Sequence, residues 1–216
     1  RRGVRVLPSR TVWIERGILN HPPGRRRLRF FFPDVIDMPL PQGHRFPGGK
    51  YRMLKELVIA KGILGRGTLR PSPPATEQML HVAHCRSYVR SILDGTVAAD
   101  IMRRIGLPWS HILAMRSCAS VGGSLAAARA ALEDGLSGQL AGGTHHAHRD
   151  FGSGFCVFND LAVTALTLLA EGRVARVAVI DLDVHQGDGN AALLAPDPRV
   201  FVLSMHGAKN FPFRRV

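Results

Sequence analysis

Apolar positions along this chain recur in two periods, short unbroken runs and longer stretches spaced three and four apart, which predicts an alternation of strands and helices. Leu28 to Phe32 reads as a first strand, and Pro39-Leu40-Pro41 with Pro47-Gly48-Gly49 frames an irregular loop around His44. Lys50 to Lys61 puts Leu54, Leu57 and Val58 on one helical face, with Gly62 placed to end the helix. After the break at Pro71 to Pro74, Thr76 is positioned to cap a short helix carrying Met79 and Leu80. Further helices are predicted over about His84 to Leu93, Val97 to Ile105 and Ser120 to Asp134, the last ended by Gly135. A short strand follows at Gly138 to Ala141, and Asn159 caps a helix running to Glu171. Val174 to Leu182 is a strand whose centre, Val177-Ala178-Val179-Ile180, is apolar on both faces, as in the interior of a parallel sheet. Arg199 to Ser204 repeats that pattern.

This order predicts an α/β fold with a mainly parallel sheet, and in such sheets ligands bind beyond the carboxyl ends of the strands. With 216 residues, 45% hydrophobic and 21% charged, the chain has the composition of a globular protein and can bury one core. The net charge of +13 is unevenly placed, since residues 1–29 hold nine arginines against Glu15 alone, so +8 lies there and +5 over the remaining 187 residues. We therefore read 1–29 as a disordered basic segment and 30–216 as the folded body. The run Arg25-Arg26-Arg27-Leu28-Arg29 can contact phosphates, but a solvated tail is the simpler reading and nucleic acid is not the expected partner. Cys85, Cys118 and Cys156 are too few and too widely spaced for a disulfide framework and fit a reducing compartment, with three buried thiols as the expectation. No apolar run approaches the roughly 20 residues of a membrane span, and no secretory leader is seen. The expectation is a cytoplasmic protein, or a nuclear one in a eukaryote, with no membrane partner.

The chemistry lies where the strand from Val174 ends, in Asp181-Leu182-Asp183-Val184-His185-Gln186-Gly187-Asp188-Gly189. Alternation along an extended segment sends Asp181, Asp183 and His185 to one side. An Asp and a His together suit a catalytic zinc, which takes three protein ligands and keeps a fourth position open. A polar strand end that caps the next helix would explain one carboxylate, but hardly three acids and a histidine within eight residues. A second cluster, Gly142-Gly143-Thr144-His145-His146-Ala147-His148, follows the short strand at Gly138. Histidines over a strand end can take a proton from an activated water and return it to a leaving amine. Each needs an acceptor on its far nitrogen, and Asp181 and Asp188 are the spare carboxylates. His148 is left as a surface-loop residue, and His81, His84 and His111 as packing or surface residues.

The combination of Gly142-Gly143-Thr144-His145-His146-Ala147, Ser153-Gly154-Phe155-Cys156-Val157-Phe158-Asn159-Asp160 and Asp181 through Gly189 resembles the histone deacetylase family, nearest its bacterial and class IV-like branch. Weaker support comes from Leu40-Pro41-Gln42-Gly43-His44-Arg45-Phe46-Pro47 and from Ser204-Met205-His206-Gly207-Ala208-Lys209-Asn210-Phe211-Pro212-Phe213. The resemblance implies a three-layer αβα arginase-deacetylase fold with a mainly parallel central sheet, incomplete at its C-terminal end. It implies one Zn2+ held by Asp183, His185 and a second Asp from later in the chain. His146, paired with Asp188, becomes the general base and then acid, and His145, paired with Asp181, its electrostatic partner. Gly154, Phe155 and Phe211 would line a channel for the acyl-lysine stem, where flat aromatic walls suit an aliphatic chain shedding its water. Asp181, Asp183, His185, Ser204 and Met205 match positions that bind K+ as a structural ion. The substrate implied is an acylated lysine of a protein or a small acylated amine.

Two departures stand out: Gly48 replaces the family's Met, and the sequence reaches Val216 before the second Asp ligand and the Tyr that stabilises the oxyanion. Little or no deacetylase activity is therefore expected of residues 1–216 alone. A ureohydrolase of the arginase kind would need an acid two residues after His185, where Gly187 stands. An acetylpolyamine amidohydrolase remains the nearest alternative enzyme. A catalytically lost module that binds nucleic acid through its arginines is the alternative of another class.

Overall fold

The computed structural model describes residues 28–33 and 38–213. The basic segment 1–27, and with it the nucleic-acid reading, lies outside the described residues. Leu28 and Arg29 do not: strand β1 is Arg29–Phe32, and Arg29 pairs with Glu133 at 2.6 Å and Asp134 at 2.5 Å. The folded body thus takes in the last arginine of the segment read as a tail.

Helix α1 (Lys50–Ala60) ends at Gly62 with φ 57°, but only Val58 of its expected apolar face is buried, while Leu54 and Leu57 stay exposed. Strand β2 (Thr68–Pro71) had no sequence signal, because four residues without alternation read as loop. It pairs parallel to β1, with Arg29 beside Thr68, and a proline is tolerated on such an edge. Helix α2 (Glu77–Leu80) is capped by the Thr76 hydroxyl, which accepts from Met79 N at 3.3 Å, and α3 (Arg86–Asp94) and α4 (Ala99–Ile105) follow.

Helix α5 (His111–Asp134) starts well before Ser120, because Ser110 supplies a cap to Leu113 N and nothing from His111 to Ala119 breaks a helix. Its Gly122 and Gly123 are there for contact: a Cβ on Gly122 would lie 1.9 Å from Pro73 O, and one on Gly123 1.6 Å from Gln139 Oε1. The bare backbone lets α5 press against the 72–75 segment and against strand β3 (Ser137–Gln139), which pairs parallel to β1.

Helix α6 (Asp160–Ala170), strand β4 (Val177–Asp181), helix α7 (Asp188–Leu194) and strand β5 (Val200–Ser204) complete the chain. β4 and β5 run parallel in register, with Asp181 beside Ser204 at their carboxyl ends. The strands of the described residues pair in parallel throughout, in the orders β2-β1-β3 and β4-β5, as the α/β reading expected. The double burial expected of β4 is not found. Ile180 is 54% exposed and Leu203 beside it 40%, because among the described residues nothing covers that face. The opposite face joins a core of Leu80, Val89, Ile92, Ile105, Val121, Phe158 and Val163, each worth roughly 1.5–3 kcal/mol when fully buried.

Candidate active site

The loop after β3 is held rigidly before any chemistry is considered. Asp160, wholly buried at the start of α6, accepts Thr144 N at 2.8 Å and Thr144 Oγ1 at 2.6 Å through one oxygen. Its other oxygen accepts Gly143 N at 3.1 Å and the Ser124 hydroxyl. Gly142, at φ 94°, would bring a Cβ within 2.5 Å of that same carboxylate, so the approach requires glycine. Asn159 caps α6 through Ala162 N at 2.8 Å and donates to Ala147 O at 3.1 Å and Asn190 Oδ1 at 2.9 Å, while Asn190 N donates to His145 O at 3.2 Å. Asn159 was read as a helix cap only, and Asp160 and Asn190 are supports that the sequence reading did not single out. Their one signal is that they are polar residues at the starts of helices following the motifs.

His84 belongs to the same frame and is buried, not a surface residue. Its Nδ1–H donates to His148 O at 2.8 Å and its Nε2 accepts Asn159 N–H at 2.9 Å, so both ring nitrogens are committed in the neutral form. Burial pushes the imidazole down to about 4. A proton on Nε2 would face a donor, which is the same conclusion from geometry. The unfolded chain therefore binds this proton below about pH 6.5 and the folded one only near 4, so the stability is fully present above pH 6.5 and is lost as pH falls. Urea titrations at pH 7 and pH 4.5 should show a fall that His84→Gln reduces by about 2–3 kcal/mol. Equal falls in the two proteins would remove His84 as the cause.

Two histidine–carboxylate pairs lie on this frame. His145 Nδ1 sits 2.6 Å from Asp181 Oδ2, and His146 Nδ1 sits 2.7 Å from Asp188 Oδ1, with all four residues buried. A carboxylate can only accept, so each neutral ring carries its proton on Nδ1 and leaves Nε2 as the free base. Asp188 is shared: His148 Nε2 lies 3.1 Å from its second oxygen and stacks on Phe151 at 4.5 Å, so His148 is a member of the cluster rather than a plain loop residue. Burial raises the Asp188 carboxyl, but the hydrogen bonds from His146 and His148 outweigh it and hold the group well below the ordinary carboxylate range.

Asp183 and His185 do not continue the strand, which ends at Asp181. They turn out of it, Asp183 exposed and His185 half-buried, so their convergence comes from loop geometry and not from strand alternation. Asp183 Oδ1 lies 2.9 Å from His185 Nδ1 and 4.0 Å from His145 Nε2. Burial works against ionisation of Asp183, yet the His185 backbone N–H, at 2.7 Å, and the two histidines lower its pKa.

The Phe211 ring stands edge-on to His146 at 4.8 Å and to His185 at 6.2 Å. Gly154 closes against both, since a Cβ there would meet His146 Cδ2 at 2.7 Å and Phe211 Cε1 at 2.9 Å. Phe155 leans the other way, its ring 5.3 Å from Phe46 and 6.2 Å from His44. It is the one non-glycine residue at positive φ, 66°, among the described residues. Bulky residues avoid that region, and here hydrogen bonds from Gly154 N to Arg104 O and Phe155 N to Ile105 O hold it. Ser204 Oγ accepts Gly187 N at 3.2 Å, and Met205 N donates to Asp181 O at 2.9 Å, which gathers Asp181, Ser204 and Met205 at the ends of β4 and β5. Cys118 and Cys156 are buried, which pushes their thiols up to about 11 and about 12, while Cys85 is only partly buried.

No group of three or more metal-binding side chains occurs among the described residues, and no helix there is long and apolar enough to cross a membrane. Asp183 Oδ1 and His185 Nδ1, 2.9 Å apart and hydrogen-bonded to each other, are an oxygen and a nitrogen of the kinds zinc takes.

A sequence profile described as the histone deacetylase domain matches residues 44–215. An uncharacterised protein of Picosynechococcus is 41% identical over 185 residues, covering 86% of this chain and 61% of that protein. A histone deacetylase-like amidohydrolase of Pseudomonas aeruginosa is 31% identical, covering 87% and 55%, and histone deacetylase 2 of Arabidopsis thaliana is 28% identical, covering 83% and 48%. The chain spans about half to three-fifths of the length of these relatives.

Proposed function

This chain belongs to the histone deacetylase family and has its arginase-deacetylase fold, and from that premise we propose that it carries the acid-base half of a zinc-dependent site that hydrolyses the amide of an acylated lysine or a similar amine. The observation that carries the reading is the pair of buried dyads, His145–Asp181 and His146–Asp188, standing beside Asp183 and His185. Asp183 and His185 would hold Zn2+, which when bound supplies Lewis acidity toward the amide carbonyl and the attacking water. His146 Nε2 accepts the proton of that water, and Asp188 stabilises the imidazolium so formed through its hydrogen bond to Nδ1. The same nitrogen then delivers the proton to the departing amine. His145, fixed by Asp181, adds positive potential on the side of Asp183. Gly154 and Phe211 form a wall against His146 that would exclude water from an aliphatic stem, while Phe155, turned toward Phe46 and His44, would line it only through its backbone.

Gly187 favours a single metal, because a Cβ there would lie 2.2 Å from Asp181 Oδ2 and leaves no room for a second bridging acid. Asp181, Asp183, His185, Ser204 and Met205 would supply oxygens to K+ as a structural ion, and the sparse thiols, two of the three buried, suit a cytoplasmic setting. The test is hydrolysis of an acetyl-lysine peptide and of an acetylated polyamine by zinc-loaded protein, before and after chelation. Chelator-sensitive turnover supports the reading, and the better substrate separates deacetylase from polyamine amidohydrolase. Turnover unaffected by chelation would sink the reading.

A further inference from the structure

The Gly154–Phe155 turn, against which His146 and Phe211 close, is where three other segments meet. Gly154 N donates to Arg104 O at 3.1 Å and Phe155 N to Ile105 O at 2.8 Å, which ties the turn to the end of α4. The Phe155 ring faces Phe46 and His44, and His44 Nε2 donates to Gly106 O at 3.1 Å, so the 41–50 segment joins as well. The 148–151 loop completes the rim, since the Arg104 guanidinium lies 5.0 Å over the Phe151 ring on which His148 stacks. This rim has an excess of positive charge. Arg45, Lys50, Arg103, Arg104 and Arg149 are exposed, against Asp100 and Asp150, and among the described residues none of the five cations is paired with a carboxylate. Lys50 Nζ lies 4.7 Å from the Phe46 ring, so Lys50 and Arg104 both rest their charge on rings of the rim.

We propose, resting on the hydrolytic reading above, that this rim selects an acyl-lysine set among acidic residues of a peptide or protein, over one in a basic sequence and over an acetylated polyamine. An acetylated polyamine keeps charged ammonium groups at neutral pH, and the rim repels them. Carboxylates on either side of an acyl-lysine meet the arginines as the stem passes Gly154. Each exposed pair contributes little by itself. Several cations around one entrance, however, raise the local concentration of an anionic partner and oppose a cationic one.

The experiment measures by fluorescence anisotropy the binding of labelled peptides that carry a central acetyl-lysine flanked by Asp, by Ser or by Lys. At low ionic strength the Asp peptide should bind at least about tenfold more tightly than the Lys peptide, with the Ser peptide between them. The difference should nearly vanish at about 1 M salt, where charges are screened beyond about 3 Å. Replacing the acetyl-lysine of the Asp peptide by Ala should weaken its binding. Arg45→Glu combined with Arg103→Glu should abolish or invert the preference, and Arg45→Lys combined with Arg103→Lys should keep it. Circular dichroism establishes folding; if the double reversal is unfolded, Arg103→Glu alone decides. Binding is read without turnover, so failure of every peptide to be hydrolysed would sink the hydrolytic reading while these ratios still decide the rim. Equal binding of the Asp and Lys peptides, a preference that survives the charge reversal, or an Ala peptide that binds as well overturns the proposal. So does a short DNA duplex that displaces the Asp peptide better than the unlabelled peptide does, since the cations would then serve nucleic acid.

Discussion

His146→Ala is expected to lower kcat for acetyl-lysine hydrolysis about a hundred- to ten-thousandfold while leaving the zinc content unchanged. The measurement uses whichever form turns over, this chain alone or joined to the further length its relatives have. The size of the effect follows from geometry. Among the histidines of the described residues, only His146 combines a buried anionic partner at Nδ1 with contact to the Phe211 and Gly154 wall. Asp188→Asn tests the partner separately: the amide cannot stabilise the imidazolium, so kcat should fall although the ring keeps its place. Because Asp188 also meets His148, His148→Ala should cost far less, since it leaves the His146 contact intact. A normal kcat in His146→Ala, or loss of zinc along with activity, would contradict the assignment.

The parts of this site legible in sequence were those made by local spacing. The acids at 181, 183 and 188 and the histidines at 145, 146 and 185 can be read because each cluster occupies fewer than ten consecutive residues. The capped helices were legible for the same reason: Thr76, Asn159 and Gly135 act on neighbours within one turn. What escaped depends on contacts across long separations. β2 is a strand only because β1 offers it a parallel partner some forty residues away. His84 resembles any helix-flanking histidine until Asn159 and His148, more than sixty residues later, take up both of its nitrogens. Asp160 reads in sequence as an ordinary first-turn acid, although four donors from Gly143, Thr144 and α5 converge on it. The apolar run in β4 misled in the opposite sense. Hydropathy registers that Ile180 can be buried, not what covers it, and among the described residues that face is bare.

Removing either proposed metal ligand should produce the second large effect, read directly as zinc affinity. His185→Ala and Asp183→Ala should each weaken zinc binding by at least a hundredfold, beyond the roughly ten- to hundredfold typical of a residue that only supports a ligand. Asp181→Asn provides the comparison, since its carboxylate touches Asp183 N at 3.0 Å and His145 Nδ1 at 2.6 Å but is displaced from the Asp183–His185 pair. Its expected loss lies within the supporting range. Zinc binding is pH-dependent, so the measurement calls for competition with a chelator of moderate strength at one fixed pH. Circular dichroism should be unchanged by either substitution, because Asp183 is exposed and His185 half-buried. Zinc retained by His185→Ala, or lost on replacing His148 instead, would place the ion elsewhere in the cluster and leave the dyads as a structural network.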